Sequence, residues 1–318
     1  MKTEIFYETK PKAQTCQELL ELYQRSKKGI KGEKLEFKGV DGRDVYNITA
    51  PFEDEGELVI AGRVEGRNTE YSDVIFFVNN ENAWEPRKNT RSFKLQDPFY
   101  TKINGDLIFG GVEVWAKENK PDSLSWRTAF YKGKNINQLE LFAKGPVGMK
   151  DIRLIELQDG RISVFTRPQG DIGGRGQIGF TTINSIEDLN TDMISNAELI
   201  NKRFIEEEWG GSNELHRLKN GFIGVLGHIA CFDSGINKHY YSVVFSFNPD
   251  TREISPMKII ATRTDFEKGD AKRPDLTDAI FSGGLVRPGN GEAVLYAGVS
   301  DAEAHRILIP DPFEELEN

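Results

Sequence analysis

A glycine followed at once by an apolar strand recurs five times: at Gly56 (GELVIAGRV), Gly105 (GDLIFGGVEV), Gly160 (GRISVFTRP), Gly221 (GFIGVLGHI) and Gly291 (GEAVLYAGV). Glycine supplies the positive φ of tight turns at no steric cost, so each copy reads as a hairpin corner. The intervals are 49, 55, 61 and 70 residues, each long enough for a four-stranded antiparallel sheet. Five such units predict radial repetition, an all-β five-bladed β-propeller. Hairpins recurring in a sandwich or barrel give a similar pattern, so the glycines alone leave those folds open.

The register of polar residues favours the propeller. Eight or nine positions before each glycine stand Asn47, Asp97, Asp151, Asn213 and Ser282; seven or eight positions after it stand Arg63, Glu113, Arg167, His228 and Gly298. In a propeller the inner strands line a central funnel, and equivalent strand ends would converge on one concave, ionisable site of the kind a carbohydrate pocket needs. Each Asn or Asp alone also fits an Asx turn at a strand start. The expected organisation is one domain over residues 1–318, with blades starting near 47, 97, 151, 213 and 282. A short helix precedes it over 15–29, with Thr15 and Glu18 at capping-box spacing, an apolar face of Leu19, Leu20, Leu22 and Tyr23, and Gly29 as its stop. Strands are expected at Glu57–Arg63, Val74–Val78, Leu107–Val114, Ile152–Leu157, Ile162–Thr166, Phe222–Ile229, Tyr241–Phe247 and Ala293–Val299.

Composition narrows the partners. The 318 residues carry 41 Lys+Arg against 50 Asp+Glu, a net charge of −9, which excludes a nucleic-acid polyanion as main partner. A small pocket of clustered cations stays possible. The start lacks the apolar core of a signal peptide, and the longest mostly apolar run, Phe222 to Phe232, is too short to span a membrane. Cys16 and Cys231 follow no metal or redox spacing and read as free thiols in a reducing cytoplasm. The sequon Asn47-Ile-Thr49 carries no weight without a secretory signal.

Individual motifs point to carboxylate chemistry with cationic support. Gly174-Arg-Gly176-Gln-Ile-Gly179 matches G-x-G-x-x-G, but no βαβ unit surrounds it, so it reads as a glycine-rich hairpin connection. The four histidines show no zinc spacing, and neither a nucleophile elbow nor a calcium loop is present; no metal or organic cofactor is expected. Pro98 is expected to hold Asp97 extended. A carboxyl at the funnel becomes a general acid if burial raises its pKa; an Asp-Pro turn is the plainer alternative. Arg63, Glu65, Arg67 and Glu70 fit a solvated ladder. Lys150, Arg153 and Arg167 place three cations near one pocket, suited to an anionic group such as phosphate. Trp209 and Asn213 fit a sugar-stacking wall, or Trp209 the core.

The segments GRVEGRNTEYSDVIFF, LQDPFYTKINGDLIFGGVEVW, GMKDIRLIELQDGRISVFTRPQG, WGGSNELHRL and DAIFSGGLV…LYAGVSD resemble the mannosyltransferase–phosphorylase family first described from trypanosomatid parasites. That family is similar to glycoside hydrolase family 130, the β-mannoside phosphorylases, with a five-bladed propeller. The resemblance runs from about Asp44 to Phe313. It implies inverting transfer of β-1,2-linked mannose, to phosphate or from a sugar-phosphate donor, on a mannose-containing oligosaccharide. Asp97, in the family's D-P motif, would be the catalytic acid. Lys150, Arg167, His228 and Tyr240 would contact phosphate; Asn47, Arg63, Asp151, Asn213 and Asp278 would line the sugar site.

Phosphate is also favoured over water on chemical grounds. An inverting hydrolase needs a second carboxylate to activate water. The first-blade position of such a base is Asn47 here, which cannot act as one. Asp44 and Asp54 lie nearby and keep a hydrolase open, as does a non-catalytic sugar-binding propeller. A homo-oligomer is compatible with the sequence.

Overall fold

The computed structural model describes residues 7–26 and 29–317. Helix α1 (Cys16–Ser26) opens with the expected capping box: the Thr15 amide donates to Glu18 Oε2 at 2.9 Å, and the Glu18 amide to Thr15 Oγ1 at 3.1 Å. Leu19 is buried and Leu20 and Tyr23 pack on a core containing Phe245 and Ile259, whereas Leu22 faces solvent. The expected extension to Gly29 crosses residues 27 and 28, outside the described residues. Among the described residues no helix is long and apolar enough to cross a membrane.

The rest is mostly strand. The five repeated glycines all hold positive φ, +82°, +73°, +86°, +84° and +85° in chain order. A Cβ at Gly56, Gly105, Gly160 or Gly221 would meet nothing within 4 Å, so backbone conformation and not space demands glycine there. Each turn joins the first strand of an antiparallel set to the second.

Four hydrogen-bonded sheets result. The first holds Asp44–Tyr46 and Phe52–Asp54, both paired to Glu57–Glu65, then Ser72–Asn80 and Ala83–Pro86. The second holds Gln96–Ile103, Asp106–Lys117, Lys120–Gly133 and Glu140–Lys144; the third Arg153–Glu156, Ile162–Thr166, Gly179–Ile183 and Glu198–Leu199. The last, of eight strands, has two antiparallel halves. One runs from Trp209–Arg217 through Ile223–Phe232 and Lys238–Phe247 to Lys258–Ala261. The other runs from Asp278–Val286 through Glu292–Val299 and Glu303–Pro310 to the N-terminal strand Glu33–Lys34. A parallel ladder of His239 with Asp278 and Tyr240 with Ala279 joins the halves.

The sheets pack face to face in chain order. Phe76, Phe93 and Phe109 fill the space between the first and second, Phe130, Ile152 and Val164 that between the second and third. Phe165, Phe180 and Phe247 join the third to the eight-stranded sheet, and Tyr296 and Ala304 return to Ile60 and Phe77 of the first. Strand starts therefore gather around one axis.

The polar register falls on breaks in the ladders. Pairing slips at Gln96/Phe99, Ser212/Glu214 and Ser282/Gly284, and such bulges re-aim side chains. Asn47, Asp97 and Asp151 share a left-handed φ of +44°, +46° and +58°. Asp97 is thus not extended: Pro98 disfavours the right-handed helical region before it, and the bulge takes Asp97 to positive φ instead.

Candidate active site

A cavity of about 190 Å³ opens where the strand starts converge, with walls from all four sheets. Of the expected residues, Asn47, Arg63, Asp97, Lys150, Arg167, His228 and Tyr240 line it. Its cations are Arg63, Lys150, Arg167, Lys238 and Arg273, against the carboxylates Glu70, Asp97 and Asp301, so a locally positive pocket sits in an acidic chain.

Asp97 is buried at the start of Gln96–Ile103. Its Oδ1 accepts from Asn47 Nδ2 at 2.7 Å and from Arg63 Nη1 at 3.1 Å. Burial pushes the carboxyl up, but the Arg63 and Lys150 charges and those two hydrogen bonds outweigh it and hold the pKa at about 2. Asp97 is a carboxylate at neutral pH, contrary to the expectation of an acid raised by burial. Arg63 is fixed from behind by Glu65, with Nη2 at 2.6 Å from Oε2. Glu65 also binds Lys272, and Glu70 bridges Lys272 at 2.9 Å and Arg273 at 3.0 Å. Of the expected solvated ladder, Arg63 and Glu65 are therefore a buried clasp between the first sheet and the segment before Asp278–Val286, whereas Glu70 and Arg67 stay partly exposed.

Lys150 and Arg167 face the cavity with little to neutralise them. Among the described residues Lys150 has no carboxylate within 4 Å, and Arg167 has Asp151 at 3.5 Å. Arg167 Nε donates to the Gly210 carbonyl at 2.7 Å. Its guanidinium lies against Gly176, where a Cβ would stand 2.7 Å from Nη2 and where φ is +148°. Gly176 of the glycine-rich connection thus makes room for Arg167; the connection itself includes a short helical turn, Gly170–Gly173, and no nucleotide fold.

Burial lowers the His228 pKa to about 3; Asp151 pulls it up, and Arg167 and Lys150 add to the fall. The imidazole is neutral, and its Nδ1 donates to Asn213 Oδ1 at 2.8 Å, which leaves Nε2 as an acceptor. The Tyr240 ring lies tilted against His228, centres 5.7 Å apart, its hydroxyl accepting from Trp209 Nε1 at 3.1 Å.

Several expected residues lie off the cavity. Asp151 sits beneath Arg167, its oxygens without a hydrogen bond; burial raises its carboxyl, and Lys150 leads the charges that outweigh this and lower it. Asn213 lies behind His228. Asp278 turns to His239, Oδ2 to Nδ1 at 2.5 Å. Trp209 is buried against Phe232 and forms no sugar wall. Arg153 is not part of the cation set: it donates to the Asn213 carbonyl at 2.5 Å and covers the Phe99 ring at 4.2 Å.

Sequence reasoning missed Gln96, Lys238, Arg273 and Asp301 at the cavity, and passed over Glu70. Glu70, Lys238 and Asp301 all lie in or next to the connection between second and third strands, the same place as Arg167, which is the signal that could have found them. Asp301 has a positive φ of +49°, makes no ion pair within 4 Å among the described residues, and is raised above the usual carboxyl range by burial, despite Arg63, with Asp97 adding to the rise. No group of three or more His, Cys, Asp or Glu side chains among the described residues could hold a metal ion.

A family profile described as "Protein of unknown function (DUF1861)" matches residues 22–315. The phosphate complex of MPT-4, a mannose phosphorylase from Leishmania mexicana, is similar with 35% identity, covering 94% of this chain and 93% of that one, at a TM-score of 0.86. MPT-1, a GDP-Man-dependent mannosyltransferase from the same organism, is similar with 34% identity, 94% and 95% coverage and a TM-score of 0.86. A 4-O-beta-D-mannosyl-D-glucose phosphorylase from Bacteroides fragilis is 26% identical over 159 residues, 47% of this chain; the match spans only 39% of that curated relative.

Proposed function

The chain belongs to the DUF1861 family, and from that membership and the cavity around Asp97 we propose that it is a mannoside phosphorylase or mannosyltransferase. The finer reading is inverting transfer of a β-1,2-linked mannose between an oligosaccharide and phosphate, or from a sugar-phosphate donor, in the cytoplasm. The observation that carries it is the pair Lys150 and Arg167, two cations short of partners in the same cavity as an ionised Asp97. That is a seat for a dianion beside a proton-transfer group.

In phosphorolysis, a phosphate oxygen held by Lys150 and Arg167 attacks C1 of the mannose while the C1–O bond to the leaving sugar breaks on the opposite face. The proton that the leaving oxygen needs comes, in balance, from hydrogen phosphate by way of Asp97. A bound dianion raises the Asp97 pKa, which favours its carrying that proton as the C1–O bond breaks. In the synthetic direction the Asp97 carboxylate takes the acceptor hydroxyl's proton and phosphate departs into the same cations. Asn47, Arg63 and Asp301 would hold sugar hydroxyls, and His228 Nε2 would accept a hydroxyl proton. Asp151, Asn213 and Asp278 would act from behind. We read the fold as one five-bladed propeller, taking the halves of the eight-stranded sheet as separate blades.

A second reading is hydrolysis, favoured by Asp301, a second carboxylate at the cavity. Incubation with β-1,2-mannooligosaccharides separates the two. Phosphate-dependent release of mannose 1-phosphate, lost in Asp97→Asn, is expected. Free mannose without phosphate dependence would overturn the phosphorylase reading in favour of the hydrolase.

A further inference from the structure

In the first and third sheets and in both halves of the eight-stranded sheet, the hairpin from second to third strand contributes to the cavity, through Glu70, Arg167, Lys238 and Asp301. The second sheet departs from this. Its strands Asp106–Lys117 and Lys120–Gly133 stay paired out to Lys117 opposite Lys120, and none of their residues lines the cavity. Gln96, which does line it, is opposite Val112, so Glu113 to Lys117 and their partners run on past the start of the strand that carries Asp97. Five further residues carry the tip roughly 16 Å beyond Gln96. An arm therefore stands on the cavity face, built on the strand next to Asp97.

A bare two-stranded ribbon is marginal in water, yet this one carries Val114, Trp115, Leu124 and Trp126, all half-buried. By register Trp115 shares a face with Glu113 and Arg127. The Arg127 guanidinium lies 5.1 Å from the Trp115 ring centre, and its Nε donates to Glu113 Oε2 at 2.8 Å. Lys144 holds the same Glu113 at 3.3 Å. An indole steadied beside fixed donors and acceptors suits the apolar face and the hydroxyls of a sugar ring. The tip, with Lys117, Glu118, Lys120 and Asp122 exposed, lacks the apolar centre that a protein interface requires.

We propose that this arm binds the part of a mannose-containing chain that remains outside the cavity, with Trp115 as stacking platform and Arg127 and Glu113 as hydroxyl partners. The proposal rests on the mannoside reading above and adds a preference for chain length. The test is calorimetric titration with a disaccharide and a tetrasaccharide of β-1,2-mannose, alongside phosphorolysis of both. The unsubstituted protein binds the tetrasaccharide more tightly; in Trp115→Ala that advantage falls by up to about tenfold, and Trp115→Phe restores most of it. Equal affinities in the unsubstituted protein, or an advantage unchanged in Trp115→Ala, overturn the proposal. A length preference lost in Trp115→Ala but without phosphate-dependent turnover sinks the phosphorylase reading and keeps the arm. Binding of neither sugar overturns both.

Discussion

Asn47 and Asp97 come from different sheets and meet in one buried hydrogen bond, Nδ2 to Oδ1 at 2.7 Å, both residues at left-handed φ. With Arg63 on the same oxygen, the carboxylate has two fixed donors and one orientation. Its ionisation is therefore set by neighbours that mutation can change singly.

Asn47→Asp removes a donor and adds a like charge beside Asp97, both of which raise its pKa. The acidic limb of the pH–rate profile for the synthetic direction, in which Asp97 takes a proton, should move up. An unmoved limb would mean that another group controls it.

The depressed Asp97 pKa also ties stability to acid. Its folded value of about 2 lies below the unfolded value of about 3.9, so the contribution is full above about pH 4 and is lost as pH falls toward 2. Nearly two units correspond to about 2–3 kcal/mol. Thermal melts of the protein and Asp97→Asn should converge as pH falls from about 4 toward 2.

Asp301 has the opposite sign. A carboxyl raised by burial destabilises the fold while ionised, and the cost fades as pH drops through its folded pKa. Asp301→Asn should melt higher than the parent at pH 7, by a margin that shrinks in acid, and should lose activity on mannosides. A lower melting point at pH 7 would contradict this.

Gly176→Ala puts a methyl group against the Arg167 guanidinium at a φ that L-residues rarely adopt. The strain, about 1–3 kcal/mol, leaves the fold standing but displaces Arg167. KM for phosphate should rise with little change in KM for the sugar; parallel rises in both would show general disturbance of the cavity.

The glycine register was legible because each glycine is demanded by backbone conformation, which sequence records directly. Asn47, Asp97 and Asp151 were legible for the same reason, sharing an unusual φ at matched offsets. Asp301 and Glu70 sit in connections of unequal length, so no fixed distance from the glycines finds them. Arg273 belongs to the segment between the two halves of the last sheet, where nothing repeats. Trp209 took the core alternative, and Arg153 left the cation set because its contacts with the Asn213 carbonyl and the Phe99 ring are tertiary and leave no mark on local spacing. The Asp97 charge state followed from Arg63 and Lys150, neighbours in space but remote in sequence.

The ladder between Glu33–Lys34 and Glu303–Pro310 bears on synthesis. On the ribosome, the early strand has no partner until Glu303–Pro310 has emerged. Asp301, just before that partner, is likewise among the last cavity residues to appear. Until that strand arrives, Asp301 lacks the hairpin that places it at the cavity. Closure of the cavity is coupled to arrival of the last strand of the last sheet.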